Sequence, residues 1–172
     1  MAETIARFLS GIPGEIQMLV LSALPLTELR GSIPFAYTVM GSSWSWPWWK
    51  IYLLALLGNL VPVPFILWFL DPVSRFLRRW GPMDTFLDWL FERTRRRTRE
   101  KIERYEALGL TLFVAIPLPV TGAWTGSLAS FLFAIPKRMA IPAIFLGVAI
   151  AGALVTLIMT GTLAGLSFLM AR

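Results

Sequence analysis

Leu24-Pro25-Leu26-Thr27-Glu28-Leu29-Arg30-Gly31-Ser32-Ile33-Pro34 interrupts the apolar run of residues 12–40 with an acid, a base, a glycine and two prolines. A helix needs about 20 largely apolar residues to cross a hydrocarbon core about 30 Å thick. Neither arm of this run is that long. Residues 108–135 form a second broken run, carrying Pro117, Pro119, Gly122 and Gly126 at its centre. Two other runs are whole: residues 47–70, with Lys50 as the one charge, and residues 139–170, with none. Gly/Pro-interrupted segments in corresponding places of two halves read as re-entrant helical hairpins, whose turns lie at membrane depth because surrounding protein shields their backbone. Two kinked spanning helices are the alternative.

Composition points the same way. The 172 residues are 56% hydrophobic and 15% charged, against roughly 45–50% and about 25% in soluble domains, and the mean hydropathy is +0.67. With no Cys and no His, thiolate chemistry, the usual general base and the commonest metal ligand are excluded. No nucleophile-and-base arrangement emerges from the Ser and Lys residues, so the chain reads as no enzyme, and no cofactor or metal is expected.

An internal repeat supports the hairpins. Ala23-Leu24-Pro25-Leu26 resembles Ala115-Ile116-Pro117-Leu118, an offset of 92, and Arg30-Gly31-Ser32 matches Thr125-Gly126-Ser127 with three extra residues in the second turn. Leu57-Gly58 and Leu146-Gly147 follow Pro47 and Pro136 at one spacing, 58 − 47 and 147 − 136 both being 11. The expected fold is all-α and integral to the membrane. It is a single domain of two inverted-topology repeats, residues 12–70 and 108–170, each a hairpin plus one spanning helix. Residues 71–107 join them.

This connector holds ten of the sixteen basic residues. Arg-rich loops stay cytoplasmic, and the spacing of Met83, Phe86, Leu87 and Leu90 predicts an amphipathic helix on the inner leaflet ending near Gly109. That accounts for the arginines without nucleic acid. Trp44, Trp46, Trp48 and Trp49 then form an outer interfacial belt, and Lys137 and Arg138 mark the inner end of the last helix. The protein is expected to be a multi-pass protein of the inner (plasma) membrane. Glu3 and Arg7 at i, i+4 predict a short interfacial helix before Gly11 that lacks the features of a cleaved signal. A chain this small barely encloses a pathway alone, which favours a homodimer.

Ionisable groups at bilayer depth are functional candidates by default. Arg30 offers a permanently charged planar fork suited to phosphate or carboxylate, with Gly31 and Ser32 beside it, while Glu28 can take up and release a coupling proton. Residues i and i+2 do not face each other on one helix, so an Arg30–Glu28 contact requires the chain to turn, which Gly31 and Pro34 permit. The bland alternative is an ion pair that only fastens the tip, or an Arg30 that snorkels. The second tip offers Thr121, Gly122, Trp124, Thr125 and Gly126: Thr125 or Ser127 can cap a fresh helix start, whose N–H groups form an anion site, and the glycines permit close approach of a substrate. Asn59, beside Gly58 and the Pro62-Val63-Pro64 kink, is expected to hydrogen-bond a hairpin tip. Gly161 and Gly165 have the small-xxx-small spacing of close helix packing.

Together, Glu28-Leu29-Arg30-Gly31-Ser32-Ile33-Pro34 and Pro117-Leu118-Pro119-Val120-Thr121-Gly122-Ala123-Trp124-Thr125-Gly126 resemble the bacterial and archaeal small multidrug export proteins. The resemblance covers roughly residues 12–164, with Val120 standing where the family's turn has Gly. In plan, hairpin-plus-helix halves are also similar to the DedA-like membrane proteins. That similarity implies a gradient-driven flippase of lipid phosphates such as undecaprenyl phosphate, with Glu28 as coupling acid, Arg30 as phosphate ligand, and Gly122, Thr125 and Gly126 completing the site. The expected function is therefore a proton- or cation-coupled transporter of an amphiphilic anion among membrane lipids, both tips meeting near the midplane. A cationic-drug exporter using Glu28 as counter-ion, and a non-transporting scaffold or assembly factor, are the rivals.

Overall fold

The computed structural model describes residues 12–39, 45–77, 103–117 and 121–170. Its helices are α1 (Gly14–Ala23), α2 (Glu28–Thr38), α3 (Trp48–Leu60), α4 (Pro62–Leu77), α5 (Glu103–Ala115), α6 (Ala123–Leu132) and α7 (Lys137–Met170), with no strand among the described residues. The interfacial helix before Gly11, Trp44, residues 78–102 of the connector and Leu118, Pro119 and Val120 lie outside them.

Two stretches are long and apolar enough to cross a membrane, Trp48–Ser74 and Lys137–Leu163, with mean hydropathies of 2.2 and 2.5. Their outward faces argue for lipid. Phe65, Trp68 and Phe69 are each more than 60% exposed, while Ser22, Ser32, Asn59, Ser127 and Ser130 are almost completely buried. Large apolar patches facing out and small polar groups facing in suit a chain whose outer solvent is hydrocarbon, where small residues let helices approach. By contrast α1, α2 and α6 have 10, 11 and 10 residues. At 1.5 Å per residue they reach only about 15–17 Å, roughly half of a bilayer core.

The helix expected over residues 47–70 is broken. Turn residue Val61 separates α3 from α4, and α4 continues to Leu77. Pro62 and Pro64 have no N–H for the carbonyls of Gly58 and Leu60, and proline is at ease in the first helical turn. Nor does a helix end near Gly109, because α5 runs through it. A Cβ there would meet nothing within 4 Å, so this glycine only lowers propensity in mid-helix.

Two compact units divide the chain, Met1–Asn59 with Ala151–Arg172, and Leu60–Ile150. In the first, α1 packs on α2, and the buried hydroxyls of Ser22 and Ser32 join them at 2.6 Å. Gly58 brings α3 against α1: a Cβ added to it would lie 2.5 Å from the Leu19 carbonyl oxygen and 2.8 Å from Ser22 Cβ. Gly152, in the part of α7 that belongs to this unit, admits the Tyr52 ring, whose Cε2 lies 2.9 Å from such a Cβ, with Leu29 Cδ2 at 3.8 Å.

In the second unit α6 packs on α4 and α5. Here Gly147 brings α7 against α5, its added Cβ falling 2.7 Å from Val114 Cβ and 2.8 Å from the Thr111 carbonyl oxygen. The Thr111 hydroxyl donates to the carbonyls of Ala107 at 2.8 Å and Ala143 at 3.2 Å. Leu19 and Ser22, moved by the offset of 92, become Thr111 and Val114. Gly58 and Gly147, each eleven residues after its proline, therefore meet the same two positions of their hairpins, one through a carbonyl oxygen and one through a Cβ.

Candidate functional site

The first turn forms earlier than Gly31 and Pro34 suggest. Residues 24–27 make it, directly after Ala23, and both Gly31 and Pro34 lie inside α2. The Thr27 hydroxyl donates to the Leu21 carbonyl and fastens the end of α1. Gly31 has no positive φ. Its lack of a side chain matters because an added Cβ would sit 3.1 Å from Thr27 Cβ. The left-handed residue is Glu28, with φ +45°, a conformation that costs a non-glycine residue about 1–2 kcal/mol.

That backbone explains the pairing. Residues i and i+2 of a regular helix point apart, whereas the left-handed start at Glu28 redirects its side chain, and Arg30 Nη1 donates to Glu28 Oε2 at 3.3 Å. The side chains are 15% and 8% exposed. A part-buried guanidinium and its buried acid therefore stand at the end of a hairpin whose two helices are joined by the Ser22–Ser32 contact. Asn59, expected to bond a tip, is 1% exposed with no partner on either amide atom.

In the second unit the Gly122 N–H donates to Thr125 Oγ1 at 2.8 Å, so Thr125 supplies the cap. Ser127 does not share that role, since its hydroxyl donates back to the Ala123 carbonyl at 2.7 Å. Thr121 closes the turn by donating to the Ile116 carbonyl at 2.9 Å. Gly126 faces Val114, whose Cγ2 would be 2.5 Å from an added Cβ. Trp124 is half-buried.

Two features were not legible from spacing. Lys50 Nζ donates to Glu15 Oε1 at 2.7 Å and lies 4.2 Å from the Trp46 ring centroid, tying the start of α3 to the start of α1. The Lys50 hydrogen bond holds the Glu15 carboxyl below its usual range. The first unit also contains a cavity of about 590 Å³ lined by Trp48, Tyr52, Ala153, Thr156, Leu157 and Thr160, a volume in the range of small-molecule sites.

A family described as Putative small multi-drug export protein matches residues 28–154. The chain belongs to this family. No curated protein and no solved structure matches it. The small multi-drug export match begins at Glu28, directly after the first turn, and takes in all of the first apolar stretch and most of the second. The family description is that of a membrane transporter, in keeping with the outward apolar faces of α3, α4 and α7.

Proposed function

We propose that this chain is a proton-coupled transporter of an amphiphilic anion, with lipid phosphates as the substrate class, carried unchanged across the inner membrane. The observation that carries the reading is the part-buried Arg30–Glu28 contact at 3.3 Å. Arg30 is always charged and fits an oxyanion bidentately. Paired with Glu28 it is neutralised; protonation of Glu28 releases the guanidinium, so anion and proton are taken up together and let go together. The apolar body of the substrate would lie in the cavity bounded by Trp48, Tyr52 and Leu157. Support for two inverted repeats with re-entrant hairpins comes from the matched Gly58 and Gly147 contacts and from helix arms about half a bilayer long. The Arg-rich connector would face the cytoplasm, and two copies would enclose the pathway.

A second reading, export of a lipophilic cation, is favoured by a cavity of about 400 Å³ in the second unit where Glu106 stands with Phe113 and Phe133; a carboxylate and phenyl faces suit such a cargo. Binding separates the two. In nanodiscs, the wild type should bind dodecyl phosphate, Arg30→Ala should lose that affinity while staying monodisperse, and Glu106→Gln should leave it unchanged. Retention of affinity by Arg30→Ala would refute the anion site, and dependence of tetraphenylphosphonium binding on Glu106 would establish the cation reading.

A further inference from the structure

Asn59 is almost wholly buried, 1% exposed, and neither Nδ2 nor Oδ1 meets a hydrogen-bond partner. It shares the buried stripe of α3 with Ile51, Ala55 and Gly58. The offset that relates Gly58 to Gly147 places Val148 at the corresponding position of the second half, and Val148 is buried to the same degree. Packing at this position is thus met by an apolar residue, and an amide there sacrifices stability, because buried polar groups are almost always bonded.

The amide asks for a particular partner. Nδ2 is a donor and Oδ1 an acceptor, side by side. A metal cation satisfies Oδ1 alone, and a fully ionised phosphate satisfies Nδ2 alone. A singly protonated oxyacid presents an acceptor oxygen and an O–H on one edge and satisfies both. We propose that Asn59 is a specificity-determining contact that selects the monoprotonated head group of the substrate. This rests on the anion reading and deepens it. Asn59 lies next to Gly58, which abuts Ser22, and Ser22 is bonded to Ser32, two residues from Arg30, so the amide belongs to the same unit as the guanidinium.

The probes are dodecyl phosphate, a monoester that loses its second proton near pH 6, and methyl dodecyl phosphate, a diester of the same single charge without the O–H. Binding is measured on the full chain in nanodiscs at pH 5. Wild type should bind the monoester about tenfold or more tightly than the diester, and monoester affinity should fall between pH 5 and pH 8. Asn59→Val, and the near-isosteric Asn59→Leu, should bind the two esters equally while melting no lower than wild type. Arg30→Ala should weaken both esters alike. If both bind through Arg30 with a ratio near one and Asn59 variants change nothing, the amide holds only a buried water and this inference falls while the anion site stands. If neither ester binds the wild type, both fall.

Discussion

Alanine at Gly58 places a methyl carbon 2.5 Å from the Leu19 carbonyl oxygen, 2.8 Å from Ser22 Cβ and 2.9 Å from Leu19 Cα. Two of these are backbone atoms that no rotamer change removes. Alanine is otherwise preferred over glycine within a helix by up to about 1 kcal/mol, and overpacking a filled contact costs about 1–3 kcal/mol. With backbone in the way the steric cost prevails, and a net loss of about 1–2 kcal/mol is expected. Gly147→Ala should behave alike, meeting Val114 Cβ at 2.7 Å and the Thr111 carbonyl oxygen at 2.8 Å. Gly109 and Gly161 are the controls, since nothing lies within 4 Å of a Cβ at either. Heating the purified variants in one detergent, with helicity followed by circular dichroism, should rank Gly58→Ala and Gly147→Ala below wild type and the two controls at or above it. A Gly58→Ala protein that melts with the controls would refute the close crossing of α1 and α3. Opposite signs at Gly58 and Gly147 would refute the equivalence of the two halves.

Removing one partner of the Arg30–Glu28 contact should destabilise the chain by up to about 3–5 kcal/mol, because a buried charge is left alone, while the apolar double variant Glu28→Leu with Arg30→Met should recover much of that loss without recovering anion binding; thermal melting of the four proteins checks both. At the contact between the starts of α1 and α3, Glu15 has its carboxyl held below the ordinary value of 4.5 by the hydrogen bond from Lys50. A depressed acid stabilises the fold above its unfolded value, so this contribution should be complete near neutrality and fade as pH falls below about 4.5 through the folded value. The effect should be small and weakened by salt, as both side chains are partly exposed, and Lys50→Met should remove that part of the acid dependence of melting.

Much of the plan was legible because hydropathy and helix-breaking residues act locally. The two apolar spans, the broken runs around Pro25 and Pro117, and the kink at Pro62 all follow from residues adjacent in sequence. What escaped depends on partners far along the chain. Gly31 and Pro34 have the look of a turn, yet the turn belongs to Pro25 and to a left-handed Glu28, while Gly31 is glycine for the sake of Thr27. Ser22 is a lone hydroxyl in an apolar run until Ser32, ten residues on, gives it a partner. Glu15 and Lys50 are 35 residues apart. A polar residue deep in a span predicts a bond to a hairpin tip, and the unmet amide of Asn59 emerges only from the packing around it.

Transport under an imposed proton gradient tests the central claim most directly. Vesicles reconstituted with the full chain and a fluorescent dodecyl phosphate analogue in one leaflet are energised by a pH jump. The account predicts that wild type moves the probe at a rate set by the gradient, that Arg30→Ala does not move it, and that Glu28→Gln, held in the released form, equilibrates the probe without responding to the gradient. Gradient-dependent movement by Glu28→Gln, or undiminished movement by Arg30→Ala, would contradict it.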